Sequence, residues 1–327
     1  MPSPLLTLRS MGADLGRVEQ ALRTSVITDD SFLTEVASHL ILAGGKRLRP
    51  ALAIAVAAAT SADAADASQD VVMGATSVEL VHLGSLYHDD VIDEAATRRT
   101  VESVNARWGN LRAILAGDFL LAKASEIAAS LGTEVAGLLA ATIGRLCEGE
   151  IGELQSAFDV DRTEADYYAS VEGKTSALFA TAARIGAIVA GHDRSLIDAA
   201  TAYGLHLGTA FQIVDDVLDL TASEAELGKP TGHDLYEGVY TLPVLFTLSH
   251  DTVASGELRD LLGRPIEGAE LEKALGIVRS NGGIPGAAAA ARAQIDAAIS
   301  ALEAFPATPA VAALRAGAQH LVSSLPG

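Results

Sequence analysis

Residues 211–220 read FQIVDDVLDL, an apolar run that carries three aspartates within five positions. Residues four apart share one face of an α-helix, so Asp215 and Asp219 project together. The pattern occurs a second time in HDDVID at residues 88–93, where it places Asp89 and Asp93 on one face. Two apolar helices that each carry Asp-Asp-x-x-Asp are therefore the feature on which the interpretation of this chain depends.

This placement of carboxylates is unfavourable unless a counter-charge lies nearby. Like charges four residues apart repel each other on a helix, and burial raises the cost further. A divalent metal removes the conflict, and Mg²⁺ binds carboxylates together with water and substrate phosphates. A single motif of this kind fits a solvated acidic face equally well, but two copies together with the cations described below favour magnesium sites.

Outward from these motifs, nearly every segment has helical period and almost none alternates like a strand. We predict helices over residues 31–42, 50–59, 69–93, 112–131, 133–156, 163–190, 194–221, 241–250, 256–264 and 268–280, with two more from 286 to the end. The Gly-rich stretch 225–240 is predicted to be a loop. The pattern indicates an all-α protein whose single domain covers residues 1–327.

Composition limits the possible partners and compartments. The chain has 23 Lys and Arg against 42 Asp and Glu, a formal net charge of −19, so a nucleic-acid partner is not expected. Half of the residues are apolar but few are aromatic, so Ala, Leu, Val and Ile must build the core. One cysteine, Cys147, excludes an intramolecular disulfide and fits a reducing compartment. No signal peptide or membrane-spanning run is evident, and a cytoplasmic location without stable membrane insertion is predicted.

Cations are grouped rather than scattered. The turn Gly44–Pro50 reads GGKRLRP and carries three of them before a predicted helix, and Arg98 and Arg99 follow the first acidic motif. Arginine pairs with phosphate in a bidentate manner and lysine acts as a point charge. A single surface cation is usually only solvated, but this grouping in an acidic chain indicates an anion-binding site. Further polar candidates on other segments are His82, Lys174, Thr175, Gln212 and Lys229.

Together these motifs resemble the trans-polyprenyl diphosphate synthases. The resemblance runs from about Gly44 to Pro243, and the order and spacing of its pieces make it specific. The pieces are GGKRLRP (44–50), HDDVIDEAATRR (88–99), GDFLLA (117–122), KTS (174–176), FQIVDDVLD (211–219), GKPTGHDL (228–235) and TLP (241–243).

The resemblance implies a fold, a cofactor and a role for each candidate residue. The fold is a single large bundle of antiparallel helices around a deep central cavity, usually in a homodimer, and the cofactor is Mg²⁺. Isopentenyl diphosphate is expected at Lys46, Arg49, His82 and Arg99. Magnesium is expected at Asp89 and Asp93 from one wall, and at Asp215, supported by Asp219, from the other. The allylic diphosphate is expected at Arg98, Lys174, Thr175, Gln212 and Lys229, and the catalytic set comprises Asp89, Asp93, Asp215, Lys174 and Arg98.

Three positions depart from the family pattern. The family often has Gly after its arginine pair, where this chain has Thr100. It often has Gln near position 153, where this chain has Glu153, and Lys just before Thr241, where this chain reads Gly238-Val239-Tyr240. The last departure removes one lysine contact, but none of the three removes a metal ligand.

The expected reaction joins isopentenyl diphosphate to an allylic diphosphate such as farnesyl or geranylgeranyl diphosphate, in the trans configuration. In the family, bulky aromatics four and five residues before the first Asp form the floor of the cavity. Here those residues are Ser85 and Gly84, with Val81 a further turn back. A product of C25 or longer is therefore predicted, which could be delivered to a membrane. Phe119 or Ala122 on a neighbouring helix are alternative floors.

Several alternatives stay open on the sequence alone. A geranylgeranyl diphosphate synthase shares all of these motifs. A terpene cyclase has one such acidic motif, but its second metal motif mixes Asn, Ser or Thr with Glu and it does not need the isopentenyl-binding cations. A non-catalytic subunit of a two-chain synthase tends to lose the acidic motifs, and this chain keeps both.

Overall fold

The structure is a computed structural model and describes residues 4–63, 65–222 and 231–325. It is 76% helical with almost no sheet, so the predicted all-α fold is confirmed. The α-helices of the described residues are α1 (Met11–Ser25), α2 (Ser31–Leu42), α3 (Leu48–Ala57), α4 (Gln69–Ile92), α5 (Val104–Trp108), α6 (Asn110–Ser130), α7 (Thr133–Gln155), α8 (Glu164–Val171), α9 (Ala177–Val189), α10 (Arg194–Thr221), α11 (His233–Glu237), α12 (Leu242–Ser249), α13 (Val253–Leu261), α14 (Gly268–Ser280), α15 (Gly283–Ala301) and α16 (Pro309–Leu321).

The chain divides into two compact units. The first takes Met1–Ile143, Leu178–Gly204 and Leu302–Gly317, and the second takes Gly144–Ala177, Leu205–Ala301 and Ala318–Gly327. The prediction of one domain over residues 1–327 stays a prediction. None of the described helices combines the length and the apolar character needed to cross a bilayer.

Helix α4 forms the centre of the first unit. Nearly all of its residues from Val71 to Gly84 are buried, so this helix is surrounded by neighbours on all sides. It packs closely on α6, because a Cβ on Gly84 would lie 3.1 Å from the carbonyl oxygen of Gly117. The N-terminus of α4 is capped by the Ser68 hydroxyl, which accepts from the N–H of Val71. Both the first acidic motif and His82 are therefore carried on a rigid, buried helix.

The second unit has its own core, built mainly from aliphatic side chains of α10 and α12 to α15. Ile213 and Val217 of α10 are completely buried there, and Tyr167 and Tyr240 are among the few aromatic members. The predicted reliance on Ala, Leu, Val and Ile is confirmed in both units. Because the apolar side of α10 is fixed in this core, the second acidic motif is held on a packed helix as well.

Most predicted helices have nearly the predicted bounds, and the differences have local causes. Helices α2, α10 and α14 match residue for residue. The predicted helix 163–190 contains a π-helical turn, Glu172–Ser176, between α8 and α9. The predicted loop 225–240 is wrong in part, because α11 forms at His233–Glu237; residues 223–230 lie outside the described part. Helix α1 and the short α5 were not predicted.

A two-stranded hairpin follows the first acidic motif and was also not predicted. Strand β1 (Thr97–Arg98) pairs antiparallel with β2 (Val101–Glu102), with Arg98 opposite Val101. Arg99 and Thr100 form the turn with φ of 54° and 66°, a left-handed conformation that favours Gly or Asn. Since neither residue is a typical turn former, residue type alone does not predict a hairpin here. The requirement for positive φ at position 100 also explains why the family often has Gly there.

Candidate active site

The three cations of the segment Gly44–Pro50 have different environments. Lys46 is exposed, whereas Arg47 is turned into the protein and only 6% exposed. Arg47 Nη1 donates to Glu79 Oε1 at 2.7 Å, its Nε donates to Glu19, and its Nη2 donates to the carbonyl oxygen of Ile41 at 3.1 Å. Arg47 therefore fixes the turn, and Lys46 stays accessible to a ligand.

Arg49 lies on the first turn of α3 and is partly buried. Its guanidinium lies 4.6 Å from the ring centroid of Phe179, and its Nε is buried with no hydrogen-bond partner among the described residues. Burial lowers the pKa of Arg49 to about 10; Glu79 opposes this shift and Arg99 adds to it. An arginine that is held by stacking and keeps an unsatisfied N–H is suited to an incoming anion.

Arg99 reaches the same region from the hairpin turn. Its Nη1 donates to the carbonyl oxygens of Leu40, at 3.1 Å, and Gly44, and its Nη2 lies 3.9 Å from Glu79 Oε1. A Cβ on Gly45 would lie 2.9 Å from Arg99 Cζ, so a side chain at this position would displace the Arg99 guanidinium. Gly45 thus leaves space for the close approach of the Arg99 guanidinium to the backbone, whereas Gly44 supplies a φ of 82° that other residues rarely adopt.

His82 completes this group, which we call the arginine cluster (Lys46, Arg49, His82 and Arg99). Its pKa is lowered well below the ordinary value by burial, and then by the positive charges of Arg49 and Arg99. The imidazole is therefore neutral at physiological pH and offers one N–H and one acceptor nitrogen. The structure brings Arg49, His82 and Arg99 together within the first unit, and their role in binding isopentenyl diphosphate stays a prediction.

Glu79 organises the arginine cluster and was missed in the sequence. It is 2% exposed and is approached by the guanidinium groups of Arg47 and Arg99. The available signal was its position three residues before His82, which puts both side chains on one face of α4. A glutamate within an apolar helix, beside an arginine-rich turn, indicates a buried ion pair.

The first acidic motif ends α4. Asp89 lies on the last turn and is partly buried, and Asp93 is the C-cap, with a side chain that is 42% exposed. The middle residue Asp90 is fully buried and accepts from Arg98 Nε at 2.6 Å, whereas Arg98 Nη2 lies 3.9 Å from Asp93 Oδ2. The structure therefore places the predicted Arg98 beside the motif and assigns its anchor to Asp90, which was not predicted.

The three residues predicted to set product length have different surroundings. Val81 is completely buried, and the Ser85 hydroxyl donates to the carbonyl oxygen of His82 at 3.0 Å. Gly84 faces α6, because an added Cβ would meet Gly117 and Leu121 at 3.1 Å. A bulky residue at 84 must displace α6, whereas Ser85 is partly exposed and can accept a larger side chain.

The second acidic motif lies on the last two turns of α10. Asp215 is exposed, and Asp219 is 2% exposed and accepts from the backbone N–H of Asp234 at 3.3 Å. The middle residue Asp216 is also buried, and its pKa is raised well above the ordinary value by burial and by the charge of Asp234. In both motifs the middle aspartate is buried and the first is less buried, whereas the third aspartate is exposed in the first motif and buried in the second.

Two predicted substrate residues of the second unit form one hydrogen-bonded chain with Asp216. Thr175 Oγ1 donates to Gln212 Oε1 at 2.8 Å, and Gln212 Nε2 donates to Asp216 Oδ1 at 2.9 Å. Tyr167 donates its hydroxyl to Asp216 Oδ2 at 2.5 Å. Thr175 and Gln212 are thus positioned by the inward carboxylate of the motif, and Tyr167 was missed in the sequence.

Lys174 lies in the π-helical turn and is held by α7. Its Nζ lies 2.6 Å from Glu153 Oε1 and 2.8 Å from Glu150 Oε2. Burial lowers the pKa of Lys174, but the two glutamates outweigh it and the pKa is raised overall. The remaining predicted lysine, Lys229, lies outside the described residues.

Comparisons with known proteins identify relatives of this chain. The family model for polyprenyl synthetase matches residues 30–278. Nonaprenyl diphosphate synthase of Mycobacterium tuberculosis is 40% identical over 274 residues, which cover 83% of this chain and 81% of that protein. A decaprenyl diphosphate synthase from Rhodobacter capsulatus has a TM-score of 0.90 at 32% identity, with 99% of both chains covered. A geranylgeranyl pyrophosphate synthase from Corynebacterium glutamicum, solved with calcium and isoprenyl diphosphate, has a TM-score of 0.85 at 37% identity, with 97% of this chain and 96% of that chain covered.

The all-α fold, the two helix-borne acidic motifs and the relatives named above place the chain in the class of prenyl diphosphate synthases. Within that class, the chain belongs to the polyprenyl synthetase family. The resemblance predicted from its motifs is confirmed, and the chain is a trans-prenyltransferase.

Proposed function

We propose that this protein condenses isopentenyl diphosphate with an allylic diphosphate, farnesyl or geranylgeranyl diphosphate, to give a trans-polyprenyl diphosphate of C25 or longer. The observation that carries this proposal lies on α4. His82, in the arginine cluster, and Asp89, in the first acidic motif, are seven residues apart on one helix. Seven residues span about 10 Å along the axis, which leaves space for two diphosphates with their reacting carbons between them.

Isopentenyl diphosphate is assigned to the arginine cluster. Arg49 has an unsatisfied buried N–H, Arg99 is anchored by backbone carbonyls, and Lys46 is free to fold over the ligand. Neutral His82 can donate one hydrogen bond to a phosphate oxygen without adding a fourth charge to this crowded group. Its position on a buried helix keeps the isopentenyl double bond at a fixed distance from the first acidic motif.

Magnesium is assigned to Asp89 and Asp93, and to Asp215 with Asp219. Carboxylate oxygens suit this ion, which keeps several waters and shares substrate phosphates. Among the described residues, no three His, Cys, Asp or Glu side chains form a metal site by themselves. When bound, Mg²⁺ neutralises the allylic diphosphate and makes it a better leaving group.

The allylic diphosphate is assigned to Arg98, Lys174, Thr175, Gln212 and Lys229. Asp90 fixes the Arg98 guanidinium, and Asp216 fixes Gln212, which in turn accepts from Thr175. These groups hold the leaving diphosphate in place while the allylic C–O bond breaks. The apolar surroundings must exclude water, because water would convert the allylic cation to an alcohol. The departing diphosphate is the nearest base for the proton that the adduct loses.

Product length is assigned to the α4 face that continues backward from Asp89. On this face Ser85 and Val81, four and eight residues before Asp89, carry no aromatic ring, and Gly84, five residues before it, faces α6. A product of C25 or longer is supported by the long-chain names of two of the three relatives described above. A C20 product is the alternative, which the Corynebacterium protein represents.

The test is a direct assay. The pure protein is incubated with Mg²⁺, radiolabelled isopentenyl diphosphate and either farnesyl or geranylgeranyl diphosphate, and the products are sized by reversed-phase chromatography. Labelled products of C25 or longer, lost on chelation of the metal, are expected. Termination at C20 would establish the alternative, and no incorporation with any primer would contradict the proposal.

A homodimer and a cytoplasmic location are further predictions. The dimer is supported by three exposed aliphatic side chains on α6, Leu111, Ile114 and Leu115, which share one helix face. Light scattering should give twice the chain mass, and Leu115→Glu should reduce it. A monomeric wild-type protein would remove the dimer from the proposal.

A further inference from the structure

The ammonium of Lys174 has two carboxylates as close partners. Glu150 and Glu153 lie three residues apart on α7, and both are within 2.8 Å of Nζ. The lysine side chain is 34% exposed, whereas those of the glutamates are 16% and 23% exposed. One positive and two negative charges thus share a partly buried space, and the local sum is −1.

The backbone around Lys174 leaves little freedom to separate these groups. A Cβ on Gly149 would lie 2.4 Å from the backbone nitrogen of Lys174, and a Cβ on Gly173 would lie 2.8 Å from Gly149 Cα. Helix α7 and the π-helical turn are therefore in direct main-chain contact. A π-helical turn contains more residues than an α-helical turn, and this difference sets the direction in which the Lys174 side chain projects.

An anionic ligand at Lys174 must compete with both glutamates. A charge-assisted hydrogen bond from the ammonium to a phosphate oxygen has to replace one to a carboxylate, and the second carboxylate repels the ligand. The free-energy cost of binding a phosphate at Lys174 depends on the charge of the two glutamates and not on their shape. Removing one of the two charges should strengthen the grip of Lys174 on a diphosphate.

We propose that Glu153, together with Glu150, is a positioning residue that orients Lys174 and weakens its hold on the allylic diphosphate and on the inorganic diphosphate released from it. This rests on the proposed function, in which Lys174 contacts the allylic diphosphate. The arrangement favours departure of inorganic diphosphate after each condensation, which a synthase that adds several units must repeat for every unit.

The experiment compares Glu153→Gln with wild type and with Glu148→Gln. Glu148 lies on the same helix, is exposed and carries the same charge, so its replacement controls for net charge. With farnesyl diphosphate as the primer, Glu153→Gln is expected to lower the KM for the primer roughly threefold to tenfold. The KM for isopentenyl diphosphate should not change. The inhibition constant of inorganic diphosphate should fall by a similar factor to the KM for the primer. Glu148→Gln should change none of these.

A second pair of variants tests whether the effect acts through Lys174. In a Lys174→Met background, Glu153→Gln should leave the primer KM unchanged, because Glu153 then has no ammonium group to act on. The effects of the two substitutions should therefore not be additive. Glu150→Gln offers an independent variant that should also lower the primer KM. An unchanged primer KM in both glutamate variants, an equal shift in Glu148→Gln, or an effect that persists without Lys174 would each overturn the inference. Prenyl transfer by the wild-type protein is scored separately, so failure of the proposed function is recognised independently.

Discussion

Arg47 Nη1 lies 2.7 Å from Glu79 Oε1, and both side chains are almost inaccessible to water, at 4% and 2%. Arg99 approaches the same oxygen at 3.9 Å. Removing one partner of a buried ion pair leaves an uncompensated charge, which costs more than the pair contributes. The Glu79 carboxylate therefore both stabilises the first unit, through Arg47, and helps to position Arg99 in the arginine cluster.

The first prediction concerns Glu79. Glu79→Gln should lower the free energy of unfolding by about 3 kcal/mol, because Arg47 loses the buried one of its two carboxylate partners and keeps the half-buried Glu19. The KM for isopentenyl diphosphate should rise more than the KM for the primer, because Arg99 loses the carboxylate charge beside its guanidinium. Thermal unfolding and steady-state kinetics measure both effects. Glu270→Gln, which breaks the exposed pair with Arg264, serves as the control and should leave Tm unchanged. Equal stability of the two variants would show that Glu79 is dispensable.

The second prediction concerns the hairpin turn. Thr100 adopts φ of 66°, which is unfavourable for a β-branched residue. Thr100→Gly should stabilise the protein by about 1 kcal/mol and leave the KM for isopentenyl diphosphate unchanged. Thr97→Gly, in the extended strand of the same hairpin, should destabilise it. Chemical denaturation measures both changes. A Thr100→Gly protein that is less stable than wild type would contradict the inference that the backbone is strained at Thr100.

The third prediction concerns the double glycine. Gly45→Ala should displace the Arg99 guanidinium, since the new Cβ lies 2.9 Å from its Cζ. The expected result is a KM for isopentenyl diphosphate that rises about tenfold, with helicity retained. Gly44→Ala is the matched control: it meets no atom within 4 Å, although its φ of 82° makes it strained. If both variants raise the KM equally, the clash with Arg99 is not the cause.

The fourth prediction concerns the acidic motifs. Asp89→Ala and Asp215→Ala should each lower kcat roughly a thousandfold, because each removes a proposed metal ligand. Circular dichroism should show unchanged helicity, and the apparent affinity for Mg²⁺ should fall in both. Asp118→Ala, at an exposed position on α6, supplies a comparison for the loss of one carboxylate. Full activity in either motif variant would refute the metal assignment.

The fifth prediction concerns product length. Ser85→Phe should shorten the products, because Ser85 is partly exposed and a ring there can close the proposed tunnel. Ser85→Ala should leave the length distribution as it is. Gly84→Phe should instead destabilise the protein, since the space beside it is filled by Gly117 and Leu121. Chromatographic sizing and thermal unfolding distinguish these outcomes, and an unaltered distribution in Ser85→Phe removes the floor assignment.

Much of the fold and of the candidate site could be predicted from local spacing. Helix bounds at 31–42 and 194–221 follow from helical period and capping, and Asp215 and Asp219 share a face because they are four residues apart. Arg49, His82 and Arg99 were grouped through the family resemblance, and the structure places them together, but their shared binding role stays a prediction. The hairpin was missed because its turn uses Arg99 and Thr100 where glycine or asparagine is usual.

The sequence by itself determined the helical class, the register of each acidic motif and the family, because all three depend on residue type and short-range spacing. Tertiary structure alone decided which cation points inward, as Arg47 does, and which aspartate of each motif is buried, as Asp90 and Asp216 are. It also decided that Glu153 holds Lys174. Those choices depend on contacts between segments that are distant in the chain, and such contacts are set by packing and burial rather than by local propensity.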